Sequence, residues 1–329
     1  MMINKTTRRS VVGALGGAGL VALQPHVLAQ SNWPTRVIRI VNPYPAGGVV
    51  DILARLLAGK VGASLGVNIV VEARPGGGST IGTDFVAAAP ADGYTWLIAT
   101  TSNAANMALM PNIRHDLLKE FAPVAQFAYT PNYLVVPASL PVSTLQEYVA
   151  LAKKNPGKLN YGSGGIGSTP FLGFELLKHL AGIDVVVVHY KGGPPQIPDL
   201  LSGQLSAAYL SAALTLSQAK SGRLKILAVA DDKRSKDFPE VPTLAEAGYG
   251  NAAVSPWFAV MVRATTPQGI RDRIELEVQK AVASPDLVAT LEAQGAVPEF
   301  RGSSALQLKI EREIDGWRAL VNATGIKAE

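Results

Sequence analysis

Short runs of β-branched residues alternate along the chain with longer runs in which apolar residues recur at helical spacing. The first unit reads as a strand over residues 37–42, a Pro/Gly loop over residues 43–48 and a helix over residues 49–65. Repetition of this order predicts parallel α/β sheets. Further strands are predicted at residues 68–72, 94–100, 159–162, 185–190, 224–230 and 254–262, a polar loop at residues 102–106, and further helices at residues 81–89, 145–154, 171–181, 194–201, 214–220, 271–283, 285–294 and 304–321.

Several loops that follow predicted strands are rich in glycine and hydroxyl groups. In parallel α/β sheets, ligands bind where such loops lead into helix N-termini, because backbone N–H groups and the helix dipole attract anions there. In the richest of these loops we predict Thr169 as the N-cap and Pro170 as the first helical residue. Taken together, these glycine- and hydroxyl-rich loops favour a carboxylate-binding cleft, although any one of them could serve only as a tight turn. The loops lie at residues 45–48, 75–80, 100–103 and 163–169.

The composition narrows the class of protein. With 48% hydrophobic and 17% charged residues, a chain of 329 residues can bury a large core, and its length predicts about two domains. The absence of cysteine excludes disulfides, thiolate metal sites and cysteine nucleophiles. The histidines outside the first 29 residues, His115, His179 and His189, lie singly, without metal-ligand spacing. We therefore expect neither a metal nor a cofactor.

Two patterns typical of enzymes are incomplete. Gly162-x-Gly164-x-x-Gly167 lies between a predicted strand and helix, as in a dinucleotide site, but Asp184 precedes the next strand instead of ending it. No Gly-x-Ser-x-Gly motif is accompanied by a histidine in a plausible late loop. We therefore predict no nucleotide site, no catalytic residue and no enzymatic activity.

Residues 1–29 have the features of an export signal: a basic start with Arg8 and Arg9, a weakly hydrophobic stretch at residues 11–23, and a small-residue cleavage pattern at residues 27–29. The hydrophobic stretch is shorter than the about 18 to 20 apolar residues of a membrane-spanning helix. The arginine pair resembles a twin-arginine signal, and an ordinary secretory signal is the alternative. Either route predicts a periplasmic protein.

Removal of this segment changes the charge of the chain. It holds three of the 30 basic residues and none of the 25 acidic residues, so the formal net charge falls from +5 to +2. Such a balance gives no basic stripe of the kind that nucleic-acid binding needs. We therefore expect no nucleic-acid partner.

Motifs along nearly the whole chain after residue 32 resemble those of one family, the solute-binding proteins of tripartite tricarboxylate transporters, often called Bug-type receptors. These motifs occur in the family's order, which makes the resemblance more specific than any single motif. They are Pro43-Tyr44-Pro45-Ala46-Gly47-Gly48-x-x-Asp51 with Ala54-Arg55, Glu72-x-Arg74-Pro75-Gly76, Asp92-Gly93-Tyr94-Thr95, Phe121-Ala122-Pro123-Val124, Tyr190-Lys191-Gly192, and Val241-Pro242-Thr243 with Glu246-Ala247-Gly248.

The resemblance implies a two-lobed periplasmic-binding-protein fold of type II, in which each lobe is a mostly parallel sheet flanked by helices. Lobe 1 would comprise residues 30–128 and 254–329, and lobe 2 residues 129–253. The loops at residues 45–48 and 163–169 would face each other across the cleft and hold a carboxylate through N–H groups, hydroxyls and water. The ligand-binding residues implied are Tyr44, Pro45, Ala46, Gly47, Gly48, Asp51, Ser102, Asn103, Ser163, Gly165, Gly167, Ser168, Thr169 and Ser211.

Two of these residues have alternative roles. Asp51 matches an acidic position of the family, and a carboxylate there would repel an anionic ligand directly. We therefore expect Asp51 to order a bridging water or to cap the loop. Tyr44 either lines the cleft with its aromatic face or packs beneath the loop.

Departures from the family pattern bear on the ligand. Where the family usually has His-x-x-Asn-Pro after the third strand, this chain has Asn103 and Asn106. On the strand near residues 205–211, where many relatives have acidic or amide residues, it has Leu210 and Ser211. Loss of acids removes the obvious partner of a substrate amine. We therefore predict a non-amino carboxylic acid as ligand, with aromatic and dicarboxylic acids as candidates.

The resemblance also implies how the protein works. It predicts a receptor that closes its lobes on the ligand and is recognised by permease subunits of a tripartite transporter, and we expect a monomer. One alternative is the same receptor acting as the input to a membrane signalling protein. A less favoured alternative is an exported α/β enzyme.

Overall fold

A computed structural model describes residues 33–165, 168–190 and 192–325 of the protein. The predicted export signal at residues 1–29 and the predicted site residue Gly167 lie outside these ranges. From Pro34 onward the chain forms one compact unit.

Strands and helices alternate over most of the described chain, as the hydrophobic pattern predicts. The strands are β1 (Ile38–Asn42), β2 (Ile69–Ala73), β3 (Thr95–Thr100), β4 (Phe121–Tyr129), β5 (Asn132–Pro137), β6 (Asn160–Ser163), β7 (Val186–His189), β8 (Ala207–Ser211), β9 (Leu224–Ala230), β10 (Trp257–Arg263) and β11 (Val297–Gly302). The helices are α1 (Val49–Leu65), α2 (Thr80–Ala87), α3 (Thr101–Leu109), α4 (Leu117–Glu120), α5 (Leu145–Lys154), α6 (Thr169–Ala181), α7 (Gln196–Ser202), α8 (Ala212–Lys220), α9 (Gln268–Val282), α10 (Pro285–Ala293) and α11 (Ser303–Thr324).

The strands form two sheets within the described residues. The first has the order β11-β4-β10-β3-β1-β2, and the second has the order β7-β6-β8-β5-β9. The chain leaves the first sheet at Tyr129, enters the second at Asn132, leaves it at Ala230 and returns at Trp257. Two stretches of chain therefore connect the sheets, as expected for the two-lobed fold.

Both sheets are mixed, and the expectation of mostly parallel sheets is wrong. β1 pairs in parallel with β2 and β3, and β6 pairs in parallel with β7 and β8. The strands on either side of the connections, β4, β10, β5 and β9, pair antiparallel with their neighbours. The chain leaves the first sheet along β4 and returns to it along β10, and it enters the second sheet along β5 and leaves it along β9, so the two strands of each of these pairs run in opposite directions.

The predicted boundaries of α1, α5 and β9 agree with the structure, and the strand expected near residues 205–211 is β8, whereas β4, β5 and β11 were not predicted. The residues of β4 and β5 are almost all buried, so the alternation that reveals a strand with one exposed face is absent. β11 is half-buried throughout and contains Pro298. A strand of that composition at a sheet edge is difficult to recognise from the sequence pattern.

Residues 102–106 lie in α3, so their prediction as a loop is wrong. The helix begins there because Thr100 and Asn103 form a capping box. The Thr100 N–H donates to Asn103 Oδ1 at 2.9 Å, and the Thr100 hydroxyl accepts from the Ser102 N–H at 3.3 Å.

The C-terminal helix α11 packs against the cores of both sheets. Leu306, Ile310 and Ile314 belong to the cluster of buried residues on the first sheet. Trp317 and Leu320, further along the helix, belong to the cluster that fills the space around α6 and the second sheet. Among the described residues, none of the helices combines the length and apolar character that a bilayer-spanning segment needs.

Candidate carboxylate-binding site

The loop between β1 and α1 is held in place by its own hydrogen bonds. The Tyr44 N–H donates to Asn42 Oδ1 at 3.0 Å, and the Gly48 N–H lies 3.4 Å from Pro45 O. Residues 45–48 are exposed. The backbone of this predicted ligand loop is therefore accessible from solvent.

Asp51, in the first turn of α1, is buried and bonded to this loop. Its Oδ2 accepts from the Gly47 N–H at 3.1 Å, and its Oδ1 accepts from Asn42 Nδ2 at 3.3 Å. Arg55, one turn later, donates to both carboxylate oxygens at 2.9 and 3.2 Å. Burial raises the pKa of the Asp51 carboxyl, but these hydrogen bonds outweigh burial and hold the pKa below its usual range. Of the two roles predicted for Asp51, the structure contains the loop-capping hydrogen bond.

Tyr44 brings together three of the predicted loops. Tyr44 is partly buried, and its hydroxyl lies 2.6 Å from the hydroxyl of Thr100, at the end of β3. Burial raises the pKa of Tyr44, and hydrogen bonding with Thr100, Ser102 and Ser79 opposes that rise. The hydroxyl groups after β1, β2 and β3 therefore meet at one edge of the sheet, as expected for the carboxyl ends of neighbouring parallel strands.

Ser79 is a central residue of this edge; it lies in the predicted loop at residues 75–80 but was not among the predicted ligand-binding residues. It is the one non-glycine residue in the described chain with a positive φ, at 85°, a conformation that costs energy and often marks a functional site. Its hydroxyl accepts from Asn103 Nδ2 and from Asn106 Nδ2, each at 3.3 Å. Asn103 also donates to Thr83 Oγ1 at 3.0 Å. The predicted site residue Asn103 is thus buried in a polar cluster behind the loops.

On the second sheet, the loop after β6 is also held by its own side chains. The Ser163 hydroxyl accepts from the Gly165 N–H at 3.1 Å and lies 3.2 Å from Gly165 O. His189, at the end of neighbouring β7, places Nδ1 3.3 Å from the same hydroxyl. Because Ser163 is fully buried, it shapes the loop from beneath.

The N-cap of α6 is Ser168, so the prediction of Thr169 is wrong by one residue. The Ser168 hydroxyl accepts from the Phe171 N–H at 3.4 Å and donates to Gly165 O at 2.7 Å. Thr169 is the first helical residue and Pro170 the second. Ser168 is the cap because its backbone is extended, which places its hydroxyl within reach of the N–H of the third helical residue, Phe171.

Ser211 ends β8, which pairs in parallel with β6. It therefore lies at the same edge of the second sheet as Ser163, Gly165, Ser168 and Thr169. The predicted residues thus form two groups, one on each sheet, and their opposition across a cleft stays a prediction. No group of three or more possible ligands for a metal ion occurs within residues 33–165, 168–190 and 192–325.

Comparison with known proteins confirms the family that the motifs indicate. The family model for the tripartite tricarboxylate transporter family receptor, TctC, matches residues 53–326. Protein BugT of Bordetella pertussis is 34% identical over 328 residues, which cover 99% of this chain and 99% of BugT.

Solved structures support the same assignment. The periplasmic binding protein BugD superimposes with a TM-score of 0.74 at 29% identity, over 90% of this chain and 100% of BugD. Rpa4515 of R. palustris, solved with adipate, superimposes with a TM-score of 0.76 at 32% identity, over 90% of this chain and 99% of Rpa4515. MatC of Rhodopseudomonas palustris, with bound malate, superimposes with a TM-score of 0.74 at 27% identity, over 88% of this chain and 100% of MatC. The chain therefore belongs to the tripartite tricarboxylate transporter receptor family and has the two-lobed fold of its periplasmic binding proteins.

Proposed function

We propose that this protein is a periplasmic receptor that captures a small organic carboxylate between its two lobes and delivers it to the permease of a tripartite transporter. The observation that carries the proposal is the meeting of Tyr44, Ser79, Thr100 and Ser102 at the carboxyl ends of three strands. Loops and helix N-termini at such an edge offer donors to an anion. The lobes comprise residues 30–128 with 254–329, and residues 129–253.

The proposed ligand is a carboxylic acid without an amino group, either dicarboxylic or aromatic. Two relatives with the same fold are described with adipate and malate, which are both dicarboxylates. Leu210 and Ser211 stand where an acid would be needed to pair with an ammonium group. Asp51, the acid that accepts a hydrogen bond from the loop at Gly47, is already paired with Arg55. An amino-acid ligand would therefore lack a partner for its positive charge.

The protein acts as a monomeric binder without catalysis. Closure of the lobes excludes water from the ligand, and the permease recognises the closed form. Residues 1–29 direct export. Fractionation of cells should place the mature protein in the periplasm, and a double Arg8→Lys, Arg9→Lys variant that stays in the cytoplasm would identify the twin-arginine route.

The ligand is identified most directly by mass spectrometry of the compound released when the purified protein is denatured. A thermal-shift panel then compares adipate, malate and benzoate with glutamate and phenylalanine. We expect carboxylates without an amino group to raise the melting temperature. Stabilisation by the amino acids alone would overturn the proposed ligand class, and a released ligand that is chemically altered on incubation would overturn a purely binding role.

The loops themselves are tested by Gly47→Trp and Gly165→Trp. Both glycines have a positive φ, and a Cβ atom at either position would meet no described atom within 4 Å, so a tryptophan finds space at the cost of about 1 to 2 kcal/mol of backbone strain. Gly222, at the opposite end of the second sheet, has the same two properties, and Gly222→Trp is the matched control. We expect a loss of affinity of at least about tenfold only in the loop variants. Equal affinity of all three variants would contradict the proposed site.

A further inference from the structure

His189 ends β7 beside the loop between β6 and α6. β7 pairs in parallel with β6, and His189 lies in register with Ser163, the last residue of β6. Both strands therefore end at the edge of the second sheet from which the loop leads into α6. Ser163 is fully buried, whereas His189 is exposed. The imidazole of His189 is thus at the carboxyl edge of the sheet and accessible to a ligand.

Two contacts hold this imidazole in place. Its Nδ1 lies 3.3 Å from the Ser163 hydroxyl, and its ring centroid lies 5.8 Å from that of Phe171, in the first turn of α6. Ser163 and Phe171 are both buried, so these contacts are made on the inner side of the ring. Nε2, the second ring nitrogen, makes no hydrogen bond to another described residue. It is therefore left for the exposed side.

The hydrogen bonds around Ser163 decide which nitrogen of the neutral ring carries the proton. The Gly165 carbonyl oxygen accepts from the Ser168 hydroxyl at 2.7 Å and from the Ser168 N–H at 3.2 Å, which uses both of its lone pairs. The Ser163 hydroxyl, 3.2 Å from the same oxygen, is thus not needed there and can donate to His189 Nδ1. A neutral ring that accepts at Nδ1 carries its proton on Nε2. The nitrogen on the exposed side is therefore an uncharged donor.

The first turn of α6 offers few backbone donors of its own. Pro170 has no N–H, and the Phe171 N–H is bonded to the Ser168 hydroxyl. Of the first three residues of α6, Thr169 alone has an N–H that no described residue accepts. A carboxylate has two oxygens with about four acceptor positions. A side-chain donor beside this turn therefore adds to what the helix N-terminus supplies.

We propose that His189 is a ligand-binding residue of the carboxylate site, whose Nε2–H donates to an oxygen of the bound carboxylate. Ser163 is the positioning residue that keeps the proton on Nε2. This role rests on the proposed function and deepens it, because it adds a side-chain donor on the second sheet to the loops and helix N-termini. Closure of the lobes removes water from the ligand, and a hydrogen bond in such surroundings is stronger than one at an open surface.

His189→Phe keeps an aromatic ring against Phe171 and removes the N–H. Calorimetry of the mature protein with adipate, malate and benzoate gives the affinity of each carboxylate. We expect His189→Phe to weaken those that the wild type binds by at least about tenfold, because a hydrogen bond to a charged group is lost. His189→Gln, which keeps a side-chain N–H, should lose less. His179→Phe is the matched control, since His179 is exposed in the last turn of α6, and it should leave affinity unchanged.

Nuclear magnetic resonance of protein labelled with nitrogen-15 histidine measures the proton position directly. At about pH 8, histidine side chains are ordinarily neutral. The His189 signals, identified by their loss in His189→Phe, should show the proton on Nε2, and Ser163→Ala should move part of it to Nδ1. A bound carboxylate should shift the Nε2 signal of His189 and leave that of His179 unchanged.

The possible failures are distinguishable. Equal affinity of His189→Phe and the wild type, for a carboxylate whose binding Gly47→Trp weakens, would overturn the role of His189 and leave the proposed function standing. A proton on Nδ1 in the unliganded wild type would overturn the role of Ser163. If none of the three carboxylates binds the wild type, the proposed function fails, and the role of His189 fails with it.

Discussion

Asp51 is a buried carboxylate whose described hydrogen-bond partners all belong to its own strand, loop and helix. Asn42 ends β1, Gly47 lies in the loop, and Arg55 is one turn further along α1. A single side chain therefore joins the loop that we propose to bind the ligand to β1 and to α1. The stabilisation that Asp51 provides depends on its negative charge, because the guanidinium of Arg55 donates to both of its carboxylate oxygens.

Asp51→Asn should lower the free energy of unfolding by about 1 to 3 kcal/mol, since it removes charge-assisted hydrogen bonds from a buried site. The pKa of Asp51 is lowered in the folded state, so its carboxylate stabilises the fold above 3.8, the pKa expected for the unfolded chain, and this stabilisation is lost as pH falls below that value. Urea unfolding of both proteins across this range measures the difference. Asp92→Asn, which breaks the exposed pair with Arg36, is the control and should cost less than about 1 kcal/mol. Equal losses would contradict the special role of Asp51.

Ser79 combines backbone strain with two hydrogen bonds from buried amides. Ser79→Ala keeps the positive φ and loses the hydroxyl, whereas Ser79→Gly loses the hydroxyl and relieves the strain. We therefore expect the glycine variant to be about 1 kcal/mol more stable than the alanine variant by thermal or urea unfolding. At Ser217, exposed in α8 with ordinary helical backbone, the order should be reversed. The same order at both positions would argue against strain at Ser79.

At the scale of single elements, helix N-termini organise both halves of the candidate site. α3 begins with the Thr100–Asn103 capping box, and α6 begins at Ser168, whose hydroxyl joins the helix to the Gly165 carbonyl. The Ser168 side chain that caps α6 thus also stabilises the preceding loop. A residue that does both is expected to affect helix stability and ligand binding together.

Ser168→Ala should cost about 1 kcal/mol of stability, because the helix loses its cap, and should weaken carboxylate binding, because the loop loses its bond to Gly165. Ser284 is a matched control: it precedes α10, is also followed by a proline in the first turn, and makes no capping hydrogen bond in the described structure. Ser284→Ala should leave affinity unchanged. Chemical denaturation and calorimetry of both variants test this. An effect of Thr169→Val equal to that of Ser168→Ala would contradict the assignment of the cap.

At the scale of the whole molecule, two stretches of chain connect the sheets, residues 130–131 between β4 and β5 and residues 231–256 between β9 and β10. The hydroxyl of Tyr129, at the end of β4, donates to Asp231 Oδ2, just beyond β9, at 3.0 Å. Burial raises the pKa of Asp231, and this hydrogen bond opposes the rise. The bond therefore joins both connections at the place where the lobes would move.

Tyr129→Phe should lower the free energy of unfolding by about 1 kcal/mol at neutral pH. Because the folded pKa of Asp231 is raised, ionisation of this group weakens the fold as pH rises through that pKa. Loss of the hydrogen bond raises the pKa further. The destabilisation should therefore be larger at about pH 7 than at about pH 4, where more of the carboxyl is protonated.

Tyr133→Phe provides the control for this pH dependence. The Tyr133 hydroxyl donates to the uncharged hydroxyl of Ser235 at 3.1 Å, so its loss should cost a similar amount at both pH values. Parallel pH dependence in the two variants would contradict a role for ionised Asp231.

The local pattern of apolar and polar residues was sufficient to predict many helices and strands, but not the strands that are buried on both faces. The helix α1 has an apolar face of regular spacing, and its ends coincide with Gly48 and Gly66, so its bounds follow from the sequence. β4 and β5 lie in the interior of the sheets and have no polar face. Their separation into two strands, one in each sheet, depends on tertiary pairing that local sequence does not encode.

The candidate site was predictable to the extent that glycine and proline motifs identify loops. Ser79 was missed because nothing in the neighbouring sequence signals a positive φ at a serine, and because the amides that bond to its hydroxyl, Asn103 and Asn106, lie more than 20 residues away in the chain. Thr169 was predicted as the cap because Pro170 follows it and proline is common at the first helical position, although serine is the better capping residue. The extended backbone of Ser168 and the hydrogen bonds of its hydroxyl with the Phe171 N–H and Gly165 O decide between them.

By itself, the sequence determined the alternation of strands and helices, the glycine loops after the strands and, through its motifs, the family. These features are local, because periodicity and turn chemistry depend on residues close together in the chain. Tertiary structure decided the mixed pairing of the sheets, the meeting of Tyr44 with Ser79 and Thr100, and the contact of His189 with Ser163. Those features join residues far apart in the chain, so they exist only once the two sheets have formed.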